Sequence, residues 1–136
     1  HLGATVKTEP ELAEVGTIPI ELTDEGANDP VFGAFAPRFC AHTGHSDSVI
    51  GVPERVTVLG RSSALETQIF KVEGAPFYST QFHPDISGEE ARRRYAAYQN
   101  GLVESIPVAI PEQGKRYQVG QDESNFLIPR FLEKLA

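Results

Sequence analysis

The feature that most restricts the fold of this chain is a series of short β-branched and aromatic runs between Val15 and Phe82, each fenced by Gly, Pro, Asp or Asn. Val15–Thr23, Arg38–Ala41, Val56–Leu59, Gln68–Val72 and Phe77–Phe82 are too short for amphipathic helices and have the composition of strands. Pro19 cannot donate to a ladder, so the first run belongs at an edge or a bulge. Glu73-Gly74-Ala75-Pro76 turns the fourth run into the fifth, as in a hairpin. Asp29 followed by Pro30 is the N-cap and first position of a short helix. One strong helix comes late. Ser87-Gly88-Glu89-Glu90 is a capping box, Ala91, Tyr95, Tyr98 and Leu102 share the face behind it, and Asn100-Gly101 is its stop. Pro107 to Asn125 reads as an extended connection, and Pro129–Leu135 as a terminal helix that docks through Phe131, Leu132 and Leu135. The order predicts an α/β sheet with an antiparallel edge, and strands too few for helices to cover both its faces.

Length and charge narrow the function. One hundred and thirty-six residues make one domain, and 40% hydrophobic with 23% charged residues is globular composition. A net charge of −7 speaks against nucleic acid, whose phosphates need a concentrated basic face. The run Arg92-Arg93-Arg94 follows Glu89-Glu90 and reads as a solvated helix face. No apolar run is long enough to span a bilayer, so no membrane partner is expected. A single cysteine favours a reducing, cytoplasmic setting. The chain has no methionine, and His1-Leu2-Gly3 reads as the last turn of a helix stopped at Gly3. The expectation is a segment whose first part lies upstream.

Two segments carry candidate chemistry. In Gln81-Phe82-His83-Pro84-Asp85 a histidine leaves the end of an apolar strand and a carboxylate follows two residues later. Pro84 holds His83 extended, and a carboxylate at one ring nitrogen fixes the tautomer a general base needs. The plainer reading, of equal weight on these residues alone, is a strand end with Asp85 near the cap of the following helix. The second segment, His42-Thr43-Gly44-His45-Ser46-Asp47, reads as a polar loop from His42 to Ser48. His42-x-x-His45 with Asp47 could hold a metal, but nothing aligns the ligands, and no metal site is assigned. Such a loop more readily presents main-chain amides to a polar ligand; a solvated turn is the plain alternative. Cys40 has no Gly-x-Cys-x-Gly elbow around it and reads as a small buried apolar residue.

Together these segments resemble class I glutamine amidotransferases of the triad type. Gln81-Phe82-His83-Pro84-Asp85 is similar to the family's Q-F-H-P-E signature, with aspartate where glutamate is usual. Gly44-His45-Ser46-Asp47 is similar to its S-H-G-D or N-H-G-Y loop, and Val52-Pro53-Glu54, Val58-Leu59, Glu21-Leu22-Thr23 and Asp29 to Phe32 fit its pattern. The likeness covers about Leu2 to Leu102 and is strongest to domains of the GMP-synthase type. It implies the C-terminal half of a flavodoxin-like α/β sheet with an antiparallel hairpin, over residues 1–106, and a C-terminal extension with a docking helix over 107–136. It implies glutaminase chemistry with His83 and Asp85 as catalytic residues and Gly44, His45, Ser46 and Asp47 as the side that holds L-glutamine. The nucleophilic cysteine would lie just upstream, no metal or organic cofactor is implied, and the acceptor of ammonia would be a synthase domain or subunit. γ-Glutamyl hydrolases or peptidases of the same fold, and a non-catalytic interaction module, stay open as alternatives.

Overall fold

In the computed structural model the described residues are 2–99, 117–118, 120 and 122–135, with the side chains of 98, 99 and 135 left aside. The strands are β1 (Thr5–Thr8), β2 (Glu14–Leu22), β3 (Arg38–His45), β4 (Asp47–Ile50), β5 (Val56–Arg61), β6 (Ile69–Val72) and β7 (Phe77–Thr80). The helices are α1 (Asp24–Ala27), α2 (Gly88–Gln99) and α3 (Leu127–Leu135). β1 pairs with β4, and a five-stranded sheet runs β3-β2-β5-β6-β7. All these pairings are antiparallel. Among the described residues no helix is long and apolar enough to cross a membrane. The α/β class and the β6–β7 hairpin, Val72 opposite Phe77, match the sequence expectation.

β2 and β3 pair from Glu14–His45 to Glu21–Arg38 and form the long ladder of the sheet. Leu22 N–H donates to the Pro37 carbonyl (2.9 Å), so alternate residues Ile20 and Ile18 bond toward β3 and Pro19 points away. On that far side β5 pairs only with Glu21 and Leu22. Pro19 therefore sits at a local edge, and costs the ladder no bond.

Alternation also sorts the side chains onto two faces. Ile20, Leu22, Phe39 and Ala41 face a core completed by Val31, Phe32, Phe35, Leu59, Ile69, Phe82 and Leu127, with Phe131 packed against it. Val15 faces a second cluster of Ile86, Ala91, Tyr95 and Tyr117. The expectation that helices could not cover both faces is thus corrected at this ladder: α3 supplies Leu127 and Phe131 to one face, α2 supplies Ala91 and Tyr95 to the other. In α3 the docking residues are Leu127 and Phe131; Leu132 is 60% exposed. The α2 stop and most of 107–125 lie outside the described residues.

Local caps follow the sequence closely. The Asp29 carboxylate accepts from Val31 N (2.8 Å) and Phe32 N (3.1 Å) at the head of a 3₁₀ turn, Phe32–Ala34. Its other oxygen accepts from Tyr78 OH (3.1 Å) and Lys71 Nζ (3.3 Å), tying the turn to β6 and β7. The Ser87 hydroxyl accepts from Glu90 N (3.2 Å), but the Glu90 carboxylate turns to Arg93 and Arg94 instead of closing the box. At Gly26 a Cβ would stand 1.9 Å from the Leu59 carbonyl oxygen, so only glycine lets α1 approach β5.

The largest departure from the sequence reading is at His42 to Ser48. β3 continues through His45, Ser46 alone separates it from β4, and His42, Thr43 and Ser48 are fully buried. His42 lies on the Val15 face, with Nδ1 2.9 Å from Thr17 Oγ1 and its ring edge-on to Tyr117. Gln118 N–H donates to the same Thr17 oxygen (2.8 Å). The tautomer that satisfies these partners has the Thr17 hydroxyl donating to Nδ1 and the His42 proton on Nε2. That proton faces Asp122 Oδ2, 3.6 Å away and also buried.

Asp29→Ala should lower the unfolding free energy by about 2–4 kcal/mol, since it strands two main-chain amides and a partly buried phenol. Urea unfolding measures this. The Tyr78 phenol, pushed up to about 12 by burial and then by Asp29, should titrate part-way back toward 10 in Asp29→Asn, read by ultraviolet absorbance. A second expectation concerns His42, whose pKa lies below its ordinary 6.5 because burial disfavours the cation, Asp122 opposing and Arg92 adding to the effect. Below the ordinary value the unfolded chain binds a proton that the folded one refuses. The stability this site contributes is therefore full above about pH 6.5 and drains away as pH falls through the lowered folded value. Melting temperatures of the parent and His42→Gln should converge as pH drops from about 7 to about 5. A gap independent of pH in that window would contradict the assignment.

Candidate active site

The His83 segment is placed by a change of strand partner. Through Thr80 the chain pairs with β6, and Gln81 N–H still donates to the Gln68 carbonyl (2.9 Å). Phe82 then bridges to Thr43 on β3, and His83 N–H donates to the His42 carbonyl (2.8 Å). The two outer strands of the five-stranded sheet thus meet through Phe82, whose side chain is only 2% exposed and anchors the crossing in the core. Pro84 keeps the next step extended, and the chain turns into α2 behind Ser87.

His83 Nδ1 stands 3.5 Å from Asp85 Oδ1, with the two side chains 43% and 53% exposed. The carboxylate faces one ring nitrogen and leaves the other directed elsewhere, the arrangement expected of a base held in one tautomer. The second candidate segment is adjacent. Gln81 Nε2 donates to the Asp47 carbonyl (3.1 Å) and Thr43 Oγ1 to the Gln81 carbonyl (3.4 Å). Two motifs distant in sequence are therefore joined directly, side chain to main chain.

Gly44 and His45 end β3, Ser46 makes the step, and Asp47 opens β4. These residues are not on a free loop. His45 Nδ1 lies 3.0 Å from the Asp47 carbonyl and Nε2 3.3 Å from Glu14 Oε2, both acceptors. The same Glu14 oxygen accepts from the buried Gln68 side chain, and Thr8 Oγ1 donates to Asp47 Oδ1 (2.5 Å). Glu14 at the start of β2 braces His45, and Gln68 just before β6 holds Glu14; sequence reasoning missed both. His42 and His45 fall on opposite faces of β3, and among the described residues no three His, Cys, Asp or Glu side chains converge to hold a metal. Cys40 is partly rather than fully buried; burial, then Glu123 and Asp122, push its thiol above the ordinary value, away from the reactive thiolate.

Comparison with known proteins shows the family. Residues 1–101 match the family described as glutamine amidotransferase class-I. A glutamine-hydrolyzing GMP synthase subunit of Methanothermobacter thermautotrophicus is 30% identical over 90 residues, 66% of this chain and 46% of that protein. Its counterpart in Pyrococcus abyssi is 31% identical over 90 residues, covering 63% and 46%. The crystal structure of a glutamine amidotransferase from Thermotoga maritima superposes with a TM-score of 0.69 at 23% identity, over 98% of this chain and 55% of that one, and shares the fold. The chain spans about half the length of the relatives it matches. With the family match extending over most of the chain and ending beyond the His83 segment, the protein belongs to the class I glutamine amidotransferases.

Proposed function

We propose that this chain is the base-bearing part of a glutaminase site, which releases ammonia from the side-chain amide of L-glutamine for an acceptor domain or subunit. The observation that carries the reading is the direct junction of Gln81-Phe82-His83-Pro84-Asp85 with Gly44-His45-Ser46-Asp47 through Gln81 Nε2 and the Asp47 carbonyl. A cysteine outside these residues attacks the amide carbon as its thiol proton passes to His83. His83 gives that proton to the departing nitrogen, and a glutamyl thioester and ammonia form. His83 next takes a proton from water as it attacks the thioester, and glutamate leaves with the thiol restored. Asp85 holds the imidazole and offsets its charge when protonated. The main-chain groups offered to the amino-acid end of glutamine come from Gly44 to Asp47, the Asp47 carbonyl being already bonded to Gln81 and His45. The relatives' names support GMP-synthase-type use of the ammonia.

In the intact protein, Asp85→Asn should lower kcat at least about tenfold with the melting temperature unchanged. Early melting with normal turnover by the folded fraction would make Asp85 structural. The 136-residue chain by itself should release no ammonia from glutamine, whereas restoring the upstream segment should supply the activity. Equal release from both would place the nucleophile within this sequence and defeat the reading.

A further inference from the structure

We propose that the C-terminal residues Tyr117, Gln118 and Asp122 to Ser124 form a strap that positions His83 through β3, with the buried His42–Asp122 contact as its lock. The inference rests on the reading of His83 as the base. β3 has one side paired to β2, and by the alternation of that ladder Cys40 and His42 turn their main-chain groups to the other side. Two pieces of chain share this outer edge. Glu123 N–H donates to the Cys40 carbonyl (2.9 Å) and Glu123 Oε2 accepts from Cys40 N–H (3.2 Å). Two residues along, the His42 carbonyl accepts from His83 N–H. The strap and the catalytic segment therefore continue the same edge, next to each other.

Further bonds fasten the strap to the face of the ladder. Tyr117 OH donates to the Thr43 carbonyl (2.8 Å), Gln118 N–H to Thr17 Oγ1, and Arg92 Nε from α2 to the Tyr117 carbonyl (2.8 Å). Asp122 Oδ1 accepts from Ser124 N–H and Oγ (2.7 Å each), which fixes the carboxylate so that Oδ2 points at His42 Nε2. His42 is 0% exposed and the Asp122 side chain 3%. Nε2 and Oδ2 have no hydrogen-bond partner among the described residues, and each faces the other at 3.6 Å. The residue that grips the strap with its ring is the same residue that holds His83 with its carbonyl. A shift of the strap moves β3 at His42, and among the described residues the His83 N–H is bonded to the His42 carbonyl. His42 and Asp122 are accordingly positioning residues, acting on the base and not on the substrate.

The test uses the intact protein and variants His42→Gln and Asp122→Ala. Amide hydrogen exchange, read residue by residue by NMR, should accelerate at least about tenfold at His83 as well as at Glu123, while Phe39, bonded to β2, keeps its protection. Under saturating glutamine kcat should fall by a similar factor with KM within about twofold. Acceleration at Glu123 with no change at His83 would overturn the proposal, as would a matching loss of protection at Phe39, which signals general unfolding. Should His83→Ala leave turnover intact, the reading of His83 as base fails, and the His83 amide still decides whether the strap holds it.

Discussion

Antiparallel pairing of residues 14–21 with 38–45 sets the placement of nearly everything else. Its alternation sends Ile18 and Ile20 to one layer, under α3 and the Phe32 turn, and Val15 and Thr17 to the other, under α2. Its register sets Glu14 opposite His45, where the acid braces the imidazole at the strand's end. Its unpaired edge receives Phe82 and His83, so the candidate base is located by main-chain bonds to β3 and not by its own side chain. A one-residue slip would exchange the two faces, bury Thr17 in the aromatic core and expose Ile20 to the α2 layer. The ladder is strongly specified because both of its faces are covered.

What the sequence made legible was local. Asp29 could be read as a cap because its partners, Val31 and Phe32, are two and three residues away; its bonds to Lys71 and Tyr78 could not, because they depend on how β6 and β7 pack. Ser87 was legible for the same reason, while the expected return bond from Glu90 lost to two arginines one turn ahead. β3 was cut short at Ala41 because His42, Thr43 and His45 look like residues that want water. Each is buried with partners remote in sequence: Asp122 and Thr17 for His42, Tyr117 and Gln81 for Thr43, Glu14 for His45. Polarity marks a loop only when the compensating groups are solvent, and nothing between residues 38 and 48 reveals that they are protein. The His83 and Asp85 pairing, two residues apart across a proline, was legible for the opposite reason.

The energetic weight of the site follows from the same contrast. A contact as exposed as that between His83 and Asp85 contributes at most about 1 kcal/mol to stability, so the fold gains little from it. The pair is not what holds the segment in place. That task falls to Phe82 in the core and to the His42 carbonyl on β3, both buried. Aspartate in place of the family's usual glutamate fits this division. With Pro84 restricting His83 to extended geometry and a turn following at residues 84–85, the shorter acid lies 3.5 Å from Nδ1. The backbone that sets this distance is itself tied to the ladder, through the bond from His83 N–H to the His42 carbonyl on β3.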